Sequence, residues 1–276
     1  MGEIEIKLQG IRDTYIMYTE FLSKIMAFYR HSLESQLAIK NYLKVTRRFK
    51  QSTISKFQIG FSPGTKSLLR FVEANNLKIQ FLVDTGILID KGNEDYYDRF
   101  TGRIIFPLHD ITGNIIGFSG RVTPETEKRE KEEKGKVRGK FINTSTTLIY
   151  KKRFVLYGLN FALDSIIQRG FAIVVEGIPD TISMQQNEFT NTVGPSGTAL
   201  TLEHMYLLKS ITKNLLVSMD DDKAGKKAYE RVIELNKEVK LNVKKLNTLG
   251  GKDLDEYLKS NNPAFLQKTI HSIFPY

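Results

Sequence analysis

The sequence predicts an α/β protein, with a mixed α+β amino-terminal part, a parallel-sheet α/β part and carboxy-terminal helices. Residues 172–175 and 215–219 are apolar runs that end abruptly in turn residues, as strands buried on both faces of a parallel sheet do. Residues 201–212 between them have a helical pattern, which makes the pair a β-α-β unit. Residues 103–118 have the pattern of a hairpin, which indicates a different sheet in the amino-terminal part.

Residues 12–44 predict two helices, the second beginning near residue 32. In the first, apolar side chains recur every three or four positions. These side chains are Tyr15, Tyr18, Phe21, Leu22, Ile25, Met26 and Tyr29. A basic cluster follows, which we interpret as a solvated helix face, with contact to nucleic acid as the alternative. Its members are Lys44, Arg47, Arg48, Lys50 and Lys56. The patterns of residues 68–75 and 79–85 predict short helices, and residues 86–89 predict a short strand.

A hairpin and a charged segment come next in the chain. The hairpin pairs residues 103–108 with 115–118 across a Gly-containing turn, and Pro107 indicates an edge strand or a bulge. Residues 123–140 alternate Glu, Lys and Arg with almost no apolar side chain, so we expect an exposed loop or ribbon tip. The remaining predicted elements are helices at 157–168, 224–239, 252–260 and 263–273 and a strand at 241–246.

The composition favours a protein with an anionic partner. The chain has 41 Lys and Arg residues and 31 Asp and Glu residues, which gives a formal net charge of +10. Nucleic acid is the commonest partner of such an excess. No apolar run is long enough to span a membrane and none resembles a signal peptide, so we expect no membrane contact and a cytoplasmic location. The absence of cysteine excludes disulfides, thiolate zinc sites and iron–sulfur clusters within these 276 residues.

Acidic side chains follow the strand-like segments of the second part. They are Glu176, Asp220, Asp222, Asp253 and Asp255. Because the carboxyl ends of parallel strands meet at one edge of a sheet, we expect these acids to converge there. Like charges repel, and a shared divalent cation is the simplest reason to gather them. Oxygen ligands without His or Cys favour Mg²⁺ or Mn²⁺ over zinc. The alternative is that the acids cap the helices that follow them.

These motifs resemble a known family. The segment EGIPD from Glu176 to Asp180, followed by DDDKAG from Asp220 to Gly225, is similar to the TOPRIM domain of primases, topoisomerases and some nucleases. Five flanking segments narrow the resemblance to the RNA polymerase domain of DnaG-type bacterial and phage DNA primases. These segments are residues 98–107, 117–121, 140–145, 156–159 and 197–204. The resemblance covers nearly all of the chain.

The resemblance implies domains and site residues. The domains are an amino-terminal primase-core subdomain at 1–165 with a basic template-binding side, a TOPRIM catalytic subdomain at 166–250, and an acidic motif with helices at 251–276. Glu176 matches the catalytic glutamate of the family. The expected metal ligands are Glu176, Asp180, Asp220, Asp222, Asp253 and Asp255. The residues expected to bind nucleic acid and NTPs are Arg99, Arg103, Arg121, Lys140 and Asn143. Asp221 departs from the family, which usually has Gly at this position, and adds charge beside the expected metal site.

The function that the resemblance implies is that of a DNA primase catalytic core. Such a nucleotidyltransferase is a DNA-directed RNA polymerase that makes short RNA primers from NTPs on single-stranded DNA with Mg²⁺ or Mn²⁺. Glu176 would either hold metal or act as a base. The expected partners are single-stranded DNA, NTPs and a replicative helicase engaged through a region outside this chain. We expect a monomer without zinc, in the cytoplasm of a bacterial or phage-infected cell.

Two other functions stay open. A TOPRIM nuclease would use the same acids with water as the nucleophile and would cleave DNA without NTPs. A non-catalytic accessory that binds single-stranded DNA would show no change in any phosphoryl-transfer assay after Asp220→Ala or Glu176→Gln. Phe100, Phe118 and Phe141 fit either stacking on bases or burial in the sheet, and burial is the commoner role of aromatic side chains.

Overall fold

The two strand-rich regions predicted from the sequence form separate sheets, and the predicted α/β class is confirmed. The computed structural model describes residues 3–136, 139–197, 199–246 and 254–275. The chain divides into two compact units. The first consists of Met1–Arg47, Ile54–Leu108 and Asn114–Lys151, and the second of Arg48–Thr53, His109–Gly113 and Lys152–Tyr276. The domain boundaries expected at residues 165 and 250 stay predictions.

The amino-terminal half of the chain combines helices with short antiparallel strands. Its helices are α1 (Glu3–Glu34), α2 (Leu37–Asn41), α3 (Gln51–Lys56), α4 (Thr65–Ala74), α5 (Ile79–Asp84) and α6 (Pro124–Lys134). Its strands are β1 (Gly60–Phe61), β2 (Leu88–Asp90), β3 (Tyr96–Asp98), β4 (Arg103–His109), β5 (Ile115–Val122) and β6 (Phe141–Asn143). One sheet has the order β1-β4-β5-β6, so the predicted hairpin is present as β4 and β5, and β2 pairs with β3 separately.

Helix α1 packs its apolar stripe against this sheet. The stripe consists of Phe21, Leu22, Ile25, Met26 and Tyr29, all buried as their spacing indicates. The helix begins at Glu3, earlier than predicted, and continues to Glu34. After α2 the chain widens into a π-helical turn, Tyr42–Thr46, which the sequence did not predict.

The segment expected as an exposed loop at 123–140 contains helix α6 instead. Thr123 caps its first turn by accepting a hydrogen bond from the Thr126 amide at 3.2 Å, and Pro124 occupies the first helical position. Ion pairs at i,i+4 spacing join Glu127 to Lys131 at 3.5 Å and Lys128 to Glu132 at 3.9 Å. The expected loop was wrong, because caps and charge pairs stabilise a helix that buries no apolar face, whereas the expected exposure agrees with the structure at most of residues 124–133.

The second unit is built on a mostly parallel sheet. After a 3₁₀ turn at Lys152–Phe154, its strands are β7 (Leu156–Tyr157), β8 (Ala172–Val174), β9 (Thr192–Pro195), β10 (Asn214–Val217) and β11 (Asn242–Lys245). Its helices are α7 (Leu159–Arg169), α8 (Ile178–Gln186), α9 (Leu202–Lys209), α10 (Lys223–Val239), α11 (Leu254–Ser260) and α12 (Pro263–Ile273). The strand order is β11-β10-β8-β9-β7, with β7 antiparallel to β9 and the other pairs parallel.

Apolar side chains are buried on both faces of this sheet. Ala172 and Val174 belong to one core cluster, and Ile173 belongs to the cluster on the opposite face. This explains the continuous apolar runs from which β8 and β10 were predicted. The predicted β-α-β unit is longer than expected, because α8 and β9 lie between these strands in the chain. Across the described ranges, the structure shows no helix with the length and apolarity needed to cross a membrane.

Candidate active site

The carboxyl ends of β8 and β10 bring Glu176 beside Asp220. These strands are parallel neighbours, with Val174 opposite Val217. The Asp220 amide donates a hydrogen bond to Glu176 Oε1 at 2.9 Å, and both residues are half-buried. The backbone of the second acidic segment therefore fixes the carboxylate of the first. The structure brings together the two acids that the sequence analysis placed at one edge.

The first turn of α10 closes tightly on Asp220. Asp222 caps this helix, since its Oδ1 accepts a hydrogen bond from the Gly225 amide at 2.8 Å. Helix capping was the alternative to metal binding as the role of these acids, and one carboxylate oxygen of Asp222 has this capping role. A Cβ atom on Gly225 would lie 2.0 Å from the Asp220 carbonyl oxygen. Glycine is thus required at this position. This role was not predicted from the sequence, although the presence of a glycine in the first turn of a predicted helix could have indicated it.

Asp180 and Asp255 form a second acidic pair, between α8 and α11. The Asp255 amide donates to Asp180 Oδ1 at 3.3 Å. The Asp255 carboxylate is buried, accepts a hydrogen bond from the Ser183 hydroxyl and pairs with Lys259 Nζ at 2.6 Å. Ser183 and Asp180 therefore join Asp255 to α8, whereas Lys259 neutralises its carboxylate from within α11. Asp253 lies outside the described residues.

A divalent cation fits the donors at Glu176 and Asp220. Within the described ranges, no three His, Cys, Asp or Glu side chains are arranged to hold an ion by themselves. However, Mg²⁺ keeps several waters and takes one or two carboxylates together with substrate phosphates. Glu176 and Asp220 supply such hard oxygen donors, and Asp222 is exposed two residues further on. The donor set therefore fits a Mg²⁺ or Mn²⁺ ion whose coordination is completed by water and phosphate.

A cleft of about 360 Å³ lies beside these acids. Its lining residues are Glu176, Pro195, Gly197, Ala199, Leu200, Met219, Ala224 and Ala228. They come from the turn after β8, the end of β9 and its following loop, the segment after β10, and α10. Among the described lining residues, all but Glu176 are uncharged. The cleft therefore joins one carboxylate to walls of small and apolar side chains.

Backbone carbonyls of the first unit hold two of the expected nucleic-acid-binding arginines. Arg99 Nε donates to the Gly86 carbonyl oxygen at 3.2 Å. Arg103 Nη1 donates to the Gly139 carbonyl oxygen at 2.9 Å, and burial lowers the pKa of Arg103. Because a carbonyl neutralises none of the charge, these contacts orient a guanidinium and leave its positive charge in place.

Arg121 lies between two aromatic rings. Its guanidinium carbon is 5.6 Å from the Tyr42 ring centroid and 5.4 Å from that of Phe141. Arg47 lies over the same Tyr42 ring at 5.6 Å, and its Nε donates to Tyr42 Oη at 2.8 Å. Tyr42 therefore orders two cations by cation–π contact. The sequence did not indicate this role for Tyr42, and it indicated Arg47 only as a member of the basic cluster.

Lys140 and Asn143 flank this group on or near β6. Lys140 is exposed, and its Nζ lies 3.9 Å from the carboxylate of Glu127. Asn143 is half-buried on β6, opposite Ser119 of β5. The structure thus places both residues in the first unit with the expected arginines.

Asp98 is a buried acid next to Arg99 that the sequence analysis did not select. Its carboxylate accepts hydrogen bonds from the Phe100 amide at 2.8 Å and from the Ser62 hydroxyl. Burial raises the pKa of Asp98 to about 6, against the opposing effect of these hydrogen bonds. Phe100 is fully buried, as is Phe118, so burial is confirmed for these two aromatic side chains.

Family models match both units of the chain. The model described as the amino-terminal domain of the DNA primase catalytic core matches residues 28–163, and a Toprim-like model matches residues 173–258. A DNA primase from Synechococcus elongatus is 32% identical over 256 residues, which is 89% of this chain and 35% of that protein. The chain therefore spans about a third of the length of this relative.

Solved primase structures share the fold. The Aquifex aeolicus primase, with its zinc-binding and RNA polymerase domains, has a TM-score of 0.83 and 31% identity, over 92% of this chain and 60% of that one. A DnaG primase catalytic domain bound to single-stranded DNA has a TM-score of 0.79 and 27% identity, over 96% of this chain and 80% of that one. Since two family models match in order along most of the sequence and the solved primases share its fold, the chain belongs to the DnaG-type DNA primase family.

Proposed function

We propose that this chain is the catalytic core of a DNA primase, a nucleotidyltransferase that makes short RNA primers from NTPs on single-stranded DNA. The contact between Glu176 and the Asp220 amide, 2.9 Å at the edge of the parallel sheet, carries the proposal. The net charge of +10 suits polyanionic substrates. The similarity to a DnaG domain bound to single-stranded DNA supports the class of template.

Glu176, Asp220 and Asp222 would hold Mg²⁺ or Mn²⁺. Such an ion would supply neutralisation of the charge on the triphosphate. In primer synthesis the ribose 3′ hydroxyl gives its proton to solvent or to a carboxylate, its oxygen bonds to the α-phosphorus, and the bond from the α-phosphorus to pyrophosphate breaks. The Asp220 amide holds the Glu176 carboxylate in place, so this group needs little reorganisation during the reaction. Asp180, Asp253 and Asp255 stay predicted ligands of the same region.

The arginines of the first unit would bind phosphates of the template and the NTP. Arg99 and Arg103 are oriented by carbonyl oxygens, and Arg121 by two rings. A planar guanidinium fixed in this way presents a fork of donors that matches phosphate oxygens. Lys140 and Asn143 would add a flexible charge and an amide. A helicase partner, a monomeric state and a cytoplasmic location stay predictions.

Incorporation of labelled NTPs on single-stranded templates, with Mg²⁺ or Mn²⁺, tests the proposal. We expect Glu176→Gln and Asp220→Ala each to lower primer synthesis on the order of 100-fold or more, because each removes a charged metal ligand. The matched control is Asp221→Ala. Asp221 is exposed and adjacent, and pairs with Lys226 at 4.0 Å. This variant should retain synthesis.

The same preparations distinguish the other functions. Binding to single-stranded DNA should be retained in Asp220→Ala, because the cations that contact the template lie in the first unit. Cleavage of DNA without NTPs, lost in Asp220→Ala, would identify a nuclease instead. If Glu176→Gln and Asp220→Ala leave every phosphoryl-transfer assay unchanged, the protein is a binding accessory and the proposed function is wrong.

A further inference from the structure

Helix α6 turns an acidic face toward the rest of the first unit. Thr126, Glu127 and Glu130 are half-buried, whereas the other side chains described in this helix are exposed. Residues three or four positions apart lie on one face of a helix, so these three define its inward side. The exposed fraction is 21% for the Glu127 side chain and 64% for that of Glu132, on the outward side. Two of the three inward residues are therefore acids.

The surface that receives this inward face is cationic. Lys140 Nζ lies 3.9 Å from the Glu127 carboxylate, which also pairs with Lys131 of α6 at 3.5 Å. Burial lowers the pKa of Arg103, and the negative charge of Glu130 opposes this effect. Arg103 and Lys140 are two of the residues proposed to bind phosphates. The acids of α6 therefore act on the same cations that nucleic acid would contact.

The chain path brings the acids and the cations together. Helix α6 follows β5 almost directly, and residue 140 lies between α6 and β6. Arg103 Nη1 donates to the carbonyl oxygens of Gly120 on β5 at 3.3 Å and of Gly139 after α6 at 2.9 Å. Both ends of the segment that carries α6 thus hold the Arg103 guanidinium. All of these residues belong to the first unit.

The contacts of this inward face are weak enough to be exchanged. An exposed ion pair stabilises a protein only slightly and is screened by salt. Helix α6 adds no large apolar side chain to a core, so charge and hydrogen bonding hold its inward face in place. A phosphate carries the same charge as a carboxylate and accepts the same donors. It can therefore take the place of Glu127 or Glu130.

We propose that Glu127 and Glu130 compete with the phosphates of single-stranded DNA for Arg103 and Lys140, an inference that rests on the proposed function. The two carboxylates, one helical turn apart, occupy these cations while no nucleic acid is bound. Binding of a strand exchanges each carboxylate for a phosphodiester, and the carboxylates return when the strand leaves. The inward face of α6 thus lowers the affinity for the template and speeds its release.

The combined variant Glu127→Gln and Glu130→Gln tests the proposal. Both changes remove a charge and keep the shape, and glutamine is a good helix former, so α6 should persist. We expect the Kd for a labelled oligodeoxythymidylate, measured by fluorescence anisotropy, to fall about fivefold in about 0.1 M salt, chiefly through slower dissociation. The salt dependence of log Kd should become steeper, by up to about 0.7 for each phosphate contact that no longer displaces a carboxylate.

Two controls separate this effect from a general change in charge. Glu125→Gln with Glu132→Gln removes the same two charges from the exposed, outward side of α6 and should leave the Kd within about twofold, because solvent and salt screen these groups. In a Lys140→Ala background, Glu127→Gln should increase the affinity less than it does when Lys140 is present, because the cation for which it competes is missing.

The proposal is overturned if the inward variant binds the oligonucleotide no more tightly than the unmodified protein, or if the outward variant gives the same gain. An equal gain from Glu127→Gln without Lys140 also overturns it, as does a fall in the KM for NTPs with no change in DNA affinity. If the ion pairs only stabilise α6, the inward variant has a lower free energy of unfolding and an unchanged Kd. Failure of the proposed function is a separate result, because DNA binding is measured without primer synthesis.

Discussion

The two units hold their functional charges by different means. In the second unit, the backbone positions the carboxylates: Glu176 accepts from the Asp220 amide, and Asp222 accepts from the Gly225 amide. In the first unit, backbone carbonyls orient Arg99 and Arg103, and only Arg121 among the expected arginines is positioned by two aromatic side chains. A hydrogen bond to a backbone amide depends on the exact backbone conformation, whereas a cation–π contact persists when the guanidinium or the ring moves by a small distance. We therefore expect the acidic site to be the more sensitive of the two to a local change in shape.

This difference agrees with the chemistry assigned to each unit. Transfer of a phosphoryl group requires its reactants to be placed to within about 1 Å, and an error of that size can cost on the order of 100-fold in rate. Binding of a nucleic-acid backbone depends chiefly on charge and on the number of phosphates contacted. The acids held by backbone amides suit the first task, and Arg121, held by ring contacts, suits the second.

Gly225→Ala should give the largest effect. Its Cβ would lie 2.0 Å from the Asp220 carbonyl oxygen, so the first turn of α10 must move and the Asp222 cap must distort. We expect a loss of more than about 3 kcal/mol in the free energy of unfolding and a fall in primer synthesis of about 100-fold. Chemical denaturation and labelled NTP incorporation measure the two effects.

Gly10→Ala is the matched control. Gly10 lies within α1, and a Cβ there would meet nothing within 4 Å. We expect this variant to be more stable by up to about 1 kcal/mol, because alanine is the better helix former. If Gly225→Ala keeps full synthesis and stability, the acidic edge is not held as tightly as the comparison requires.

The pH dependence of stability should have opposite signs at the buried Asp98 of the first unit and the half-buried His109 of the second. Burial raises the pKa of Asp98 from 3.8 to about 6, so its contribution is fully present below pH 3.8 and is lost as pH rises through 6. Burial lowers the pKa of His109 from 6.5 to about 4, against a smaller effect of Asp110. Its contribution is therefore present above pH 6.5 and is lost as pH falls through 4.

Each contribution is about 3 kcal/mol at most, and the two largely cancel between pH 4 and 6. Asp98→Asn should therefore be more stable than the unmodified protein at pH 7.5 but not at pH 4. His109→Phe should lose less stability on acidification than the unmodified protein. Denaturant titrations at pH 4, 6 and 7.5 provide the measurement. Parallel pH profiles for all three proteins would show that neither group is perturbed.

Arg121→Lys should give the smallest effect. It keeps the charge but removes the planar group between Tyr42 and Phe141. We expect the affinity for single-stranded DNA to fall by about 1 kcal/mol, or about fivefold, with the acidic site unaffected. Arg129→Lys, on the exposed surface of α6, is the control and should bind as before. Equal binding by the two variants, measured by fluorescence anisotropy, would contradict a role for the ring contacts.

The elements best predicted from the sequence are those whose burial is uniform. Strands β8 and β10 are buried on both faces, and the stripe of α1 repeats regularly, so the pattern alone was sufficient. Strand β9 was missed because Thr192–Pro195 is short and contains Gly and Pro, although the sheet buries all of it. Helix α6 was missed because its stability comes from caps and charge pairs, which a hydrophobic pattern does not report.

The candidate site, like the fold, was predicted in part from the sequence. Glu176 and Asp220 were placed together because strand ends meet at one edge of a parallel sheet. The role of Gly225 and the contacts of Tyr42 depend on residues distant in the fold or on an irregular turn, which sequence spacing does not show. The partner of Asp255 is easier to predict, because Lys259 follows Asp255 by one helical turn and such i,i+4 pairs can be recognised in a sequence.

Helix α6 has a practical consequence for experiments on this protein. Its sequence, PETEKREKEEK, contributes no large apolar side chain to any core, so replacing or lengthening it leaves hydrophobic packing untouched. It is therefore a suitable place to attach a fluorophore or an affinity handle. Such a probe would report on DNA or nucleotide binding from a solvent-facing position, at little cost to folding.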